Sequence, residues 1–590
     1  MCGIFGFVSD NALPSQIVFS GLKSLEYRGY DSWGIAVKQK GGIKSYKKTG
    51  KLPHTLNPNL SRNTTSLAIG HTRWATHGGV TQNNAHPHMD CQNKLALVHN
   101  GILENHEKLK SSLLKKGHKF KSDTDTEVIV HLIEEELKTN GFATAVRNSF
   151  ARMKGLNAFV VINSNSKEMI AAKNGSPLII GIGNNEFFIS SDIASVLPHT
   201  TKIAILRDYE MAILGSKLQI LSLNTGEKVA PKIETVEWNT KEHEKGKYKH
   251  FFIKEIHEEP EVVRRIAINA IAGTKTLSEH IGNAYGTFMI GCGSASYAGI
   301  AGIYLFSQIA KKHLNMAVGS EFKYQEDFVT SKTLVIPISQ SGESIDVIEP
   351  VSRVKKKGAK IASLVNVMGS TLYRMSDFNI LLESGTEKAV VATKSFTAMV
   401  ATLILTAYTL AGKQKEGQKL LLDASSDITN ILKPAYIKLI KSLVRQINSK
   451  EHLYIIGRGL SYPVALEATL KLKEASYAHA EAFPGGELKH GVIALIEKGT
   501  PCIVFAPNDE TYDEIISNAQ EVKVRGAFII GIGPKKNNVF DVYLPTADLK
   551  HATILSQVAV AHLLGYYLSL ARGVKDPDKP RNLAKSVTVK

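Results

Sequence analysis

Residues 287–297 read TFMIGCGSASY, an apolar run followed by a glycine-rich turn and the start of a helix. The same pattern returns at residues 453–462 as LYIIGRGLSY. A second related pair reads TLVIPISQSGESIDVIE at 333–349 and TPCIVFAPNDETYDEII at 500–516. Strand, loop and helix in this order are typical of parallel βαβ units. We therefore expect an α/β region with two similar doubly wound lobes, joined by helical structure.

The first 225 residues follow a different pattern. Short β-patterned runs such as IFGFV and NAFVVI alternate with turn signals, and helical stretches interrupt them near 15–25 and 125–137. This pattern predicts a layered α/β domain built on antiparallel sheets. After it, the chain becomes charged and loses its periodicity, which suggests a linker.

These changes of pattern divide the chain. At ~150 residues a domain, 590 residues allow three or four domains. We predict five segments: a first domain over 2–225, a linker over 226–250, two lobes over 251–425 and 426–575, and a tail over 576–590.

The net charge of +18 raises the question of a nucleic-acid partner. The lysines are scattered, and the densest run, 355–357, is only three long. No stacking motif of the kind that RNA-binding domains use is present. We expect no nucleic-acid partner, although a basic surface can attract an anionic phosphate substrate.

The longest uncharged apolar run, residues 396–412, is shorter than the ~20 residues that a bilayer crossing needs. It predicts a buried core helix and no membrane partner. The N-terminus does not read as a secretory signal, because Gly3 and Gly6 interrupt its apolar stretch.

The cysteines and histidines suggest neither a disulfide framework nor a metal site. The four cysteines, Cys2, Cys91, Cys292 and Cys502, are far apart and form no CxxC pair, which fits a reducing cytoplasm. The histidine-rich stretch over 71–88 lacks the helical i, i+4 pair of a zinc motif. We expect no metal, and we interpret Cys91 as a structural thiol.

Cys2 is the first candidate nucleophile. If Met1 is removed, Cys2 carries both a thiol and a free α-amine, whose reference pKa is near ~7.7–8. Such an amine can accept the proton of the thiol on the same residue. The position of Cys2 alone does not exclude that the Met-Cys start arose by chance.

Six motifs between residues 1 and 127 favour a catalytic role for Cys2 over a chance Met-Cys start. They are MCGIFG (1–6), YRGYDSWGIA (27–36), HTRWATHG (71–78), NAHPH (84–88), HNGILENH (99–106) and SDTDTE (122–127). In order and spacing they resemble the class II glutamine amidotransferases, which are N-terminal-nucleophile hydrolases. The resemblance covers residues 2–225 and implies a layered αββα domain.

The resemblance implies a role for each residue of this site. Cys2 forms a thioester with the glutamine carboxamide, while the Asn100 side chain and the Gly101 N–H stabilise the oxyanion. Arg73 binds the α-carboxylate and Asp125 the ammonium of glutamine. Trp74 gates the passage of ammonia. The glutamine-binding set is Arg73, Trp74, Thr76, His77 and Asp125.

The duplicated lobes resemble sugar isomerase (SIS) domains. Their phosphate site is a Ser/Thr-rich loop between a parallel strand and a helix N-terminus, and IPISQSGESIDV (336–347) has that form. Taken alone, this loop is equally consistent with an ordinary capped turn. The implied sugar-phosphate set is Ser294, Ser296, Ser339, Gln340, Ser341, Ser344 and Glu467.

Segments in the C-terminal part of the chain carry the candidate residues for a second active site. Glu467, Lys471 and Glu474 are spaced to share one helix face, although exposed ion pairing would give the same spacing. GGELKHG (485–491) carries His490. The tail DPDKPRNLAKSVTVK (576–590) closely resembles the end of the glucosamine-6-phosphate synthase family.

By this resemblance Lys585 forms a Schiff base with the ketose carbonyl, and His490 opens the sugar ring. Glu474 moves a proton between carbons 1 and 2, Lys471 assists, and Glu467 holds His490. The family donates this histidine from a neighbouring subunit, so we expect a homodimer.

The implied substrates are L-glutamine and fructose 6-phosphate, with no metal or organic cofactor, because Lys585 supplies the electron sink. Two departures concern the sugar pocket: Ser294-Ala295 stands for the family's Thr-Ser, and Ala392-Thr393 for its Ser-Thr. The alternatives are a related SIS aminotransferase or deglycase for another ketose phosphate, and a sugar-phosphate-sensing regulator.

Overall fold

The computed structural model describes residues 2–56, 63–75, 77–236 and 244–587. Met1 and Thr76, both named above, lie outside these ranges. The chain forms two compact units, one comprising Met1–Asn239 with Ala584–Lys590 and the other Thr240–Leu583. The finer domain limits given above stay predictions.

The first unit is built on two antiparallel sheets. One has eight strands, in the order β15 (Ile233–Thr235), β11 (Lys202–Ile205), β9 (Ile179–Ile182), β10 (Glu186–Ser190), β1 (Gly3–Pro14), β4 (Thr64–Arg73), β2 (Ser32–Gln39) and β3 (Gly42–Thr49). The other has seven, in the order β14 (Lys228–Val229), β13 (Leu218–Ser222), β12 (Glu210–Leu214), β8 (Met169–Lys173), β7 (Asn157–Asn163), β6 (Leu95–Gly101) and β5 (His88–Met89).

Both faces of these sheets are buried. Along β7, Val160 and Ile162 pack into the core between the sheets, while Phe159 and Val161 face the helices. The helices of this unit are α1 (Gln16–Ser24), α2 (His106–Lys115), α3 (Thr126–Glu136) and α4 (Phe142–Ala151). Because side chains alternate along a strand, this packing needs a layer on each side. The predicted αββα layering is confirmed.

The second unit contains two five-stranded parallel sheets of identical order. The first runs β17 (Asn315–Val318), β16 (Gly286–Gly291), β18 (Thr333–Ser339), β19 (Lys360–Val365) and β20 (Phe378–Leu381). The second runs β22 (His479–Pro484), β21 (His452–Gly457), β23 (Pro501–Phe505), β24 (Phe528–Gly533) and β25 (Val542–Pro545). In both, the strand that precedes the G-x-G turn lies second, so the duplicated sequence pattern corresponds to a duplicated fold.

Eleven helices are described in the second unit. They are α5 (Phe251–Asn269), α6 (Ile271–Asn283), α7 (Ser294–Ala310), α8 (Ile345–Lys356), α9 (Thr371–Met375), α10 (Lys394–Leu410), α11 (Gln414–Ile431), α12 (Pro434–Ile447), α13 (Ser461–Ser476), α14 (Tyr512–Lys523) and α15 (Thr553–Ala571). One apolar core joins helices and strands of both lobes.

Helix α10 confirms the buried-helix interpretation of the apolar run, since its residues are buried from Lys394 to Tyr408. Among the described residues one helical stretch, Lys550–Ala571, is long and apolar enough to cross a membrane. However, 83% of its apolar window is buried inside the fold, as in the core helix of a globular unit.

Three regions differ from the sequence-based expectation. Helices α2 and α4 were missed; α2 buries only Leu109 and Leu113, which gives a weak pattern. The charged segment after residue 225 begins with the short edge strands β14 and β15, which pair through their backbones. The helical connection divides into α11 and α12 at Pro434, a residue suited to the first turn of a helix.

Candidate active sites

Cys2 lies at the start of β1, beside the end of β4. The pairing of Gly3 with Thr72 brings its thiol next to Trp74, whose backbone N–H donates a hydrogen bond to Cys2 Sγ at 3.3 Å. The Cys2 carbonyl accepts from Arg28 Nε at 3.1 Å and from Asn100 Nδ2 at 3.2 Å. The strand ends therefore fix both the thiol and the backbone of this residue.

The environment of the thiol keeps it protonated at rest. Burial raises the pKa of the Cys2 thiol, while the Trp74 N–H and the nearby Arg73 and Arg28 act in the opposite direction. A nucleophile in this state needs a nearby proton acceptor. The α-amine of a processed Cys2 would meet that need.

Asn100, at the end of β6, is held in one orientation by His71. His71 Nε2 lies 3.0 Å from both the His99 carbonyl and Asn100 Oδ1. Two acceptors at one ring nitrogen require a proton there, and burial lowers the pKa of His71 to about 3, so the ring is neutral. Asn100 Nδ2 then points towards Cys2 and Ser191 as a donor.

Gly101 follows in a backbone conformation that favours glycine. Its φ is +138°, and a Cβ at this position would lie 2.2 Å from the Leu156 carbonyl oxygen. No side chain fits between β6 and the segment before β7. The close approach of the two backbones explains why position 101 is a glycine.

Arg73 and Asp125 have backbone partners. The buried Arg73 guanidinium donates to the carbonyls of His77, Gly78 and Gly79. Asp125 Oδ2 accepts from the Leu103 N–H at 2.7 Å, at the N-cap of α3. Burial lowers the pKa of Arg73, whereas Cys2, Asp31 and Asp125 act to raise it, so these groups share one electrostatic environment.

Three further residues belong to the predicted glutamine-binding set. Trp74 packs edge-on against Tyr30 with ring centroids 5.4 Å apart, and His77 packs against His106 at 4.7 Å. Thr76 lies outside the described residues. The roles of all three towards glutamine stay predictions.

In the second unit, Glu467, Lys471 and Glu474 do share one face of α13. Lys471 Nζ lies 3.2 Å from Glu467 Oε1, 2.9 Å from Glu474 Oε2 and 3.2 Å from Ser294 Oγ. Lys471 and Glu467 are completely buried, and 20% of the Glu474 side chain is exposed. This arrangement is not a solvated ion pair on a helix surface.

His562 and Glu259 also belong to this network and were not predicted from the sequence. His562 of α15 bonds Glu259 of α5 through Nδ1 at 2.6 Å and approaches Glu467 through Nε2 at 3.5 Å. Burial lowers the pKa of His562, but Glu259 and Glu467 outweigh it and raise the value to about 9. The one signal for it in the sequence is that His562 is a single histidine within an otherwise apolar helix.

Charge alternates along the resulting chain of groups. Burial opposes the ammonium of Lys471, yet Glu467 and Glu474 together raise the pKa of Lys471. Burial likewise opposes ionisation of Glu467, but Lys471 and His562 lower its pKa. Acidic and basic side chains therefore follow one another from Glu259 to Glu474, and only the last is partly open to solvent.

The serine-rich loop lies between β18 and α8, as predicted. The Ser339 hydroxyl accepts from Gly342 N at 3.0 Å, and the Ser341 hydroxyl accepts from Glu343 N at 3.1 Å. Ser344 is the N-cap of α8. The Gln340 carbonyl accepts from Asn366 N at 3.3 Å. These contacts fit both a capped turn and a phosphate loop.

The remaining predicted residues lie in different environments. Ser296 Oγ donates to the Gly293 carbonyl at 2.7 Å, and Ser294 Oγ donates to Glu467 Oε1 at 3.1 Å. His490 is exposed at the end of the short 3-10 helix Gly485–His490. Lys585 is half-buried and belongs to the first unit.

Comparison with known proteins identifies both parts of the chain. The glutamine amidotransferase domain family matches residues 71–198, and the SIS domain family matches residues 281–408 and 446–543. The fold and the sites thus define a glutamine amidotransferase joined to two sugar isomerase domains.

Full-length relatives narrow this class. The glutamine–fructose-6-phosphate aminotransferases (isomerizing) of Thermococcus kodakarensis and Pyrococcus horikoshii are each 39% identical to this chain, with 100% of both chains covered. A solved C-terminal domain of glucosamine-fructose-6-phosphate aminotransferase from Francisella tularensis is 31% identical, with a TM-score of 0.51, over 56% of this chain and 98% of its own. The chain belongs to the glutamine–fructose-6-phosphate aminotransferase (isomerizing) family.

Proposed function

We propose that this chain converts fructose 6-phosphate and L-glutamine into glucosamine 6-phosphate and L-glutamate. The observation that carries the proposal is the Asn100 amide, which His71 holds with its donor 3.2 Å from the Cys2 carbonyl. This donor lies beside a thiol at the chain start, in a chain that continues into two SIS domains. Full-length relatives of the same name support it.

At the first site, Cys2 Sγ adds to the carboxamide carbon of glutamine while the α-amine takes the thiol proton. The oxyanion is stabilised by Asn100 Nδ2 and the Gly101 N–H. Collapse of the adduct returns a proton to the leaving nitrogen and releases ammonia, leaving a thioester. Water then hydrolyses the thioester to L-glutamate and restores the thiol.

At the second site, the Lys585 amine condenses with carbon 2 of the open-chain ketose as water leaves, and ammonia then displaces the lysine amine to give the ketose imine. Transfer of a proton from carbon 1 to carbon 2, with a second proton passing from the carbon-1 hydroxyl to the nitrogen, gives the 2-amino aldose. We assign ring opening to His490, a Schiff base with the sugar to Lys585 and the proton transfer to Glu474. Lys471, whose pKa its two glutamate neighbours raise, remains an ammonium and donates a hydrogen bond to Glu474. Ser294, Ser296 and the loop over 339–344 are the proposed sugar-phosphate contacts.

Three further features belong to this proposal. Ammonia travels between the sites as a neutral molecule, and Trp74, next to the thiol, gates its passage. A homodimer supplies His490 to the sugar site of its partner, which accounts for the exposure of His490 in one chain. Glu467 does not hold this histidine as the family resemblance implied, because Glu467 is completely buried and bonded to Lys471 and Ser294. A reducing cytoplasm suits a reaction that requires Cys2 as a free thiol.

The test is an assay of hexosamine phosphate formed from glutamine and fructose 6-phosphate, with tagatose 6-phosphate as the alternative ketose. Cys2→Ala should abolish synthesis from glutamine and retain synthesis from ammonium chloride. Preference for the alternative ketose would favour a related aminotransferase. Binding of the sugar without any amino sugar product would favour a regulator.

A further inference from the structure

Four side chains with metal-binding atoms converge in the first unit, outside the residues assigned to glutamine. Cys91 lies in the turn between β5 and β6, and His118 lies between α2 and α3. His131 and Glu134 are one turn apart on α3. One ligand atom from each of these four residues lies within 4.8 Å of the other three.

The separations of these atoms suit a tetrahedral ion. Cys91 Sγ lies 3.8 Å from His118 Nδ1 and 3.7 Å from His131 Nδ1. Glu134 Oε2 lies 2.9 Å and 2.8 Å from the same two nitrogens. Zinc bonds of ~2.0–2.3 Å place tetrahedral ligands about 3.3–3.6 Å apart. The observed distances fall on both sides of this spacing, so small side-chain rotations would complete the site.

A hydrogen-bonded carboxylate orients one of the two imidazoles, and a second carboxylate lies near the other. His118 Nε2 lies 3.0 Å from Glu135 Oε2, and His131 Nε2 lies 3.7 Å from Glu127 Oε1. A carboxylate at Nε2 favours the tautomer with the proton on that nitrogen, which leaves the Nδ1 lone pair free for a metal. Glu127 is itself fixed by hydrogen bonds from the Ser122 N–H and hydroxyl.

We infer that Cys91, His118, His131 and Glu134 form a binding site for one divalent, zinc-like cation. A thiolate and a carboxylate balance its charge, and sulfur with imidazole nitrogen suits zinc better than magnesium or calcium. The two histidines are buried and Cys91 is exposed, which leaves a route of entry from solvent.

Four protein ligands describe a structural site, with no position left open for a substrate. The ion would join the β5–β6 turn to α3. Strand β6 ends at Asn100 and Gly101, and Asp125 is the N-cap of α3. The site would therefore brace two elements that carry predicted glutaminase residues. It revises two sequence-based expectations, that the chain binds no metal and that Cys91 is a plain structural thiol.

The test uses metal-free full-length protein titrated with Co²⁺ alone. We expect one equivalent to give the strong visible absorption of tetrahedral cobalt and a thiolate-to-cobalt charge-transfer band, both lost on addition of Zn²⁺. Cys91→Ser should lose the charge-transfer band. Cys2→Ala, which removes the other thiol near the surface of this unit, should keep it.

A second pair of variants tests the outer carboxylates. Glu135→Gln should weaken Co²⁺ binding about 10–100-fold, whereas Glu136→Gln, one residue further along α3, should leave it unchanged. The inference is refuted if wild-type protein gives no tetrahedral spectrum, or if Cys91→Ser gives the same spectrum as wild type. Equal affinities in the two glutamate variants would refute the orienting contact.

Discussion

Lys471 Nζ lies 3.2 Å from Glu467 Oε1, and both side chains are completely buried. Neither charge can be stabilised by water, so each depends on the other and on the groups next to it. Ser294, Glu474 and His562 supply those further contacts. The stability of the second unit and the proposed chemistry at Glu474 are therefore linked through one network.

Removing one charge from this network should destabilise the protein. Lys471→Met should lower the free energy of unfolding by about 3–5 kcal/mol, because it leaves Glu467 charged, buried and short of its main partner. Urea denaturation measures the change. The control is Lys473→Met on the exposed side of the same helix, which should stay within about 0.5 kcal/mol of wild type. Equal losses in the two variants would show that the buried pair contributes little.

The contribution of His562 should depend on pH. Its folded-state pKa of about 9 exceeds the unfolded value near ~6.5, so its stabilisation is full below that lower value and is lost as pH rises through about 9. At about 1.4 kcal/mol for each tenfold change in proton affinity, the contribution is about 3 kcal/mol.

His562→Gln removes this charge. The stability difference between wild type and His562→Gln should therefore shrink as denaturation is repeated from neutral to alkaline pH. His313→Gln, at an exposed histidine, should follow wild type throughout. A difference that stays constant across the range would contradict the assignment of a charged His562.

Replacing Asn100 should reduce the reaction with glutamine and not the synthesis that uses ammonia. Asn100→Ala removes one oxyanion donor and should reduce kcat for glutamine hydrolysis about 10²–10³-fold. Synthesis from ammonium chloride by the same variant serves as the internal control and should be unaffected. His71→Leu should give a smaller loss, because Asn100 then keeps its donor but loses the contact that orients it. A similar loss with both nitrogen sources would argue against an oxyanion role.

Gly101 should tolerate no side chain. Gly101→Ala forces a Cβ to within 2.2 Å of the Leu156 carbonyl at a positive φ, which we expect to cost at least about 1–3 kcal/mol. Gly282→Ala is the matched control, since Gly282 lies within α6 and its Cβ would make only an ordinary contact of 3.6 Å with Leu410. That change should be neutral or stabilising by about 0.4–1 kcal/mol. Thermal unfolding of the two variants distinguishes the outcomes.

Local patterns in the sequence predicted the layers of both units. The short β-patterned run NAFVVI and the repeated strand before each G-x-G turn are properties of short segments, and the structure contains both. The spacing of Glu467, Lys471 and Glu474 likewise placed them on one helix face. Each of these predictions depends on residues within one or two turns or strands of each other.

Contacts between distant segments were not predictable in the same way. His562 and Glu259 are 303 positions apart, and the packing of α5 against α15 brings them together. Cys91 and His131 are 40 positions apart and meet through a turn and a helix face. Neither pair leaves a periodic signal, because the contacts depend on how complete elements pack.

The most direct measurement follows the amide nitrogen of glutamine. The protein is incubated with amide-¹⁵N glutamine, fructose 6-phosphate and unlabelled ammonium, and the hexosamine phosphate is analysed by mass spectrometry. We expect the wild-type product to carry ¹⁵N and the Cys2→Ala product to carry only the unlabelled nitrogen. An unlabelled wild-type product, or label that persists in Cys2→Ala, would contradict transfer of the glutamine amide nitrogen, released by Cys2, to the sugar.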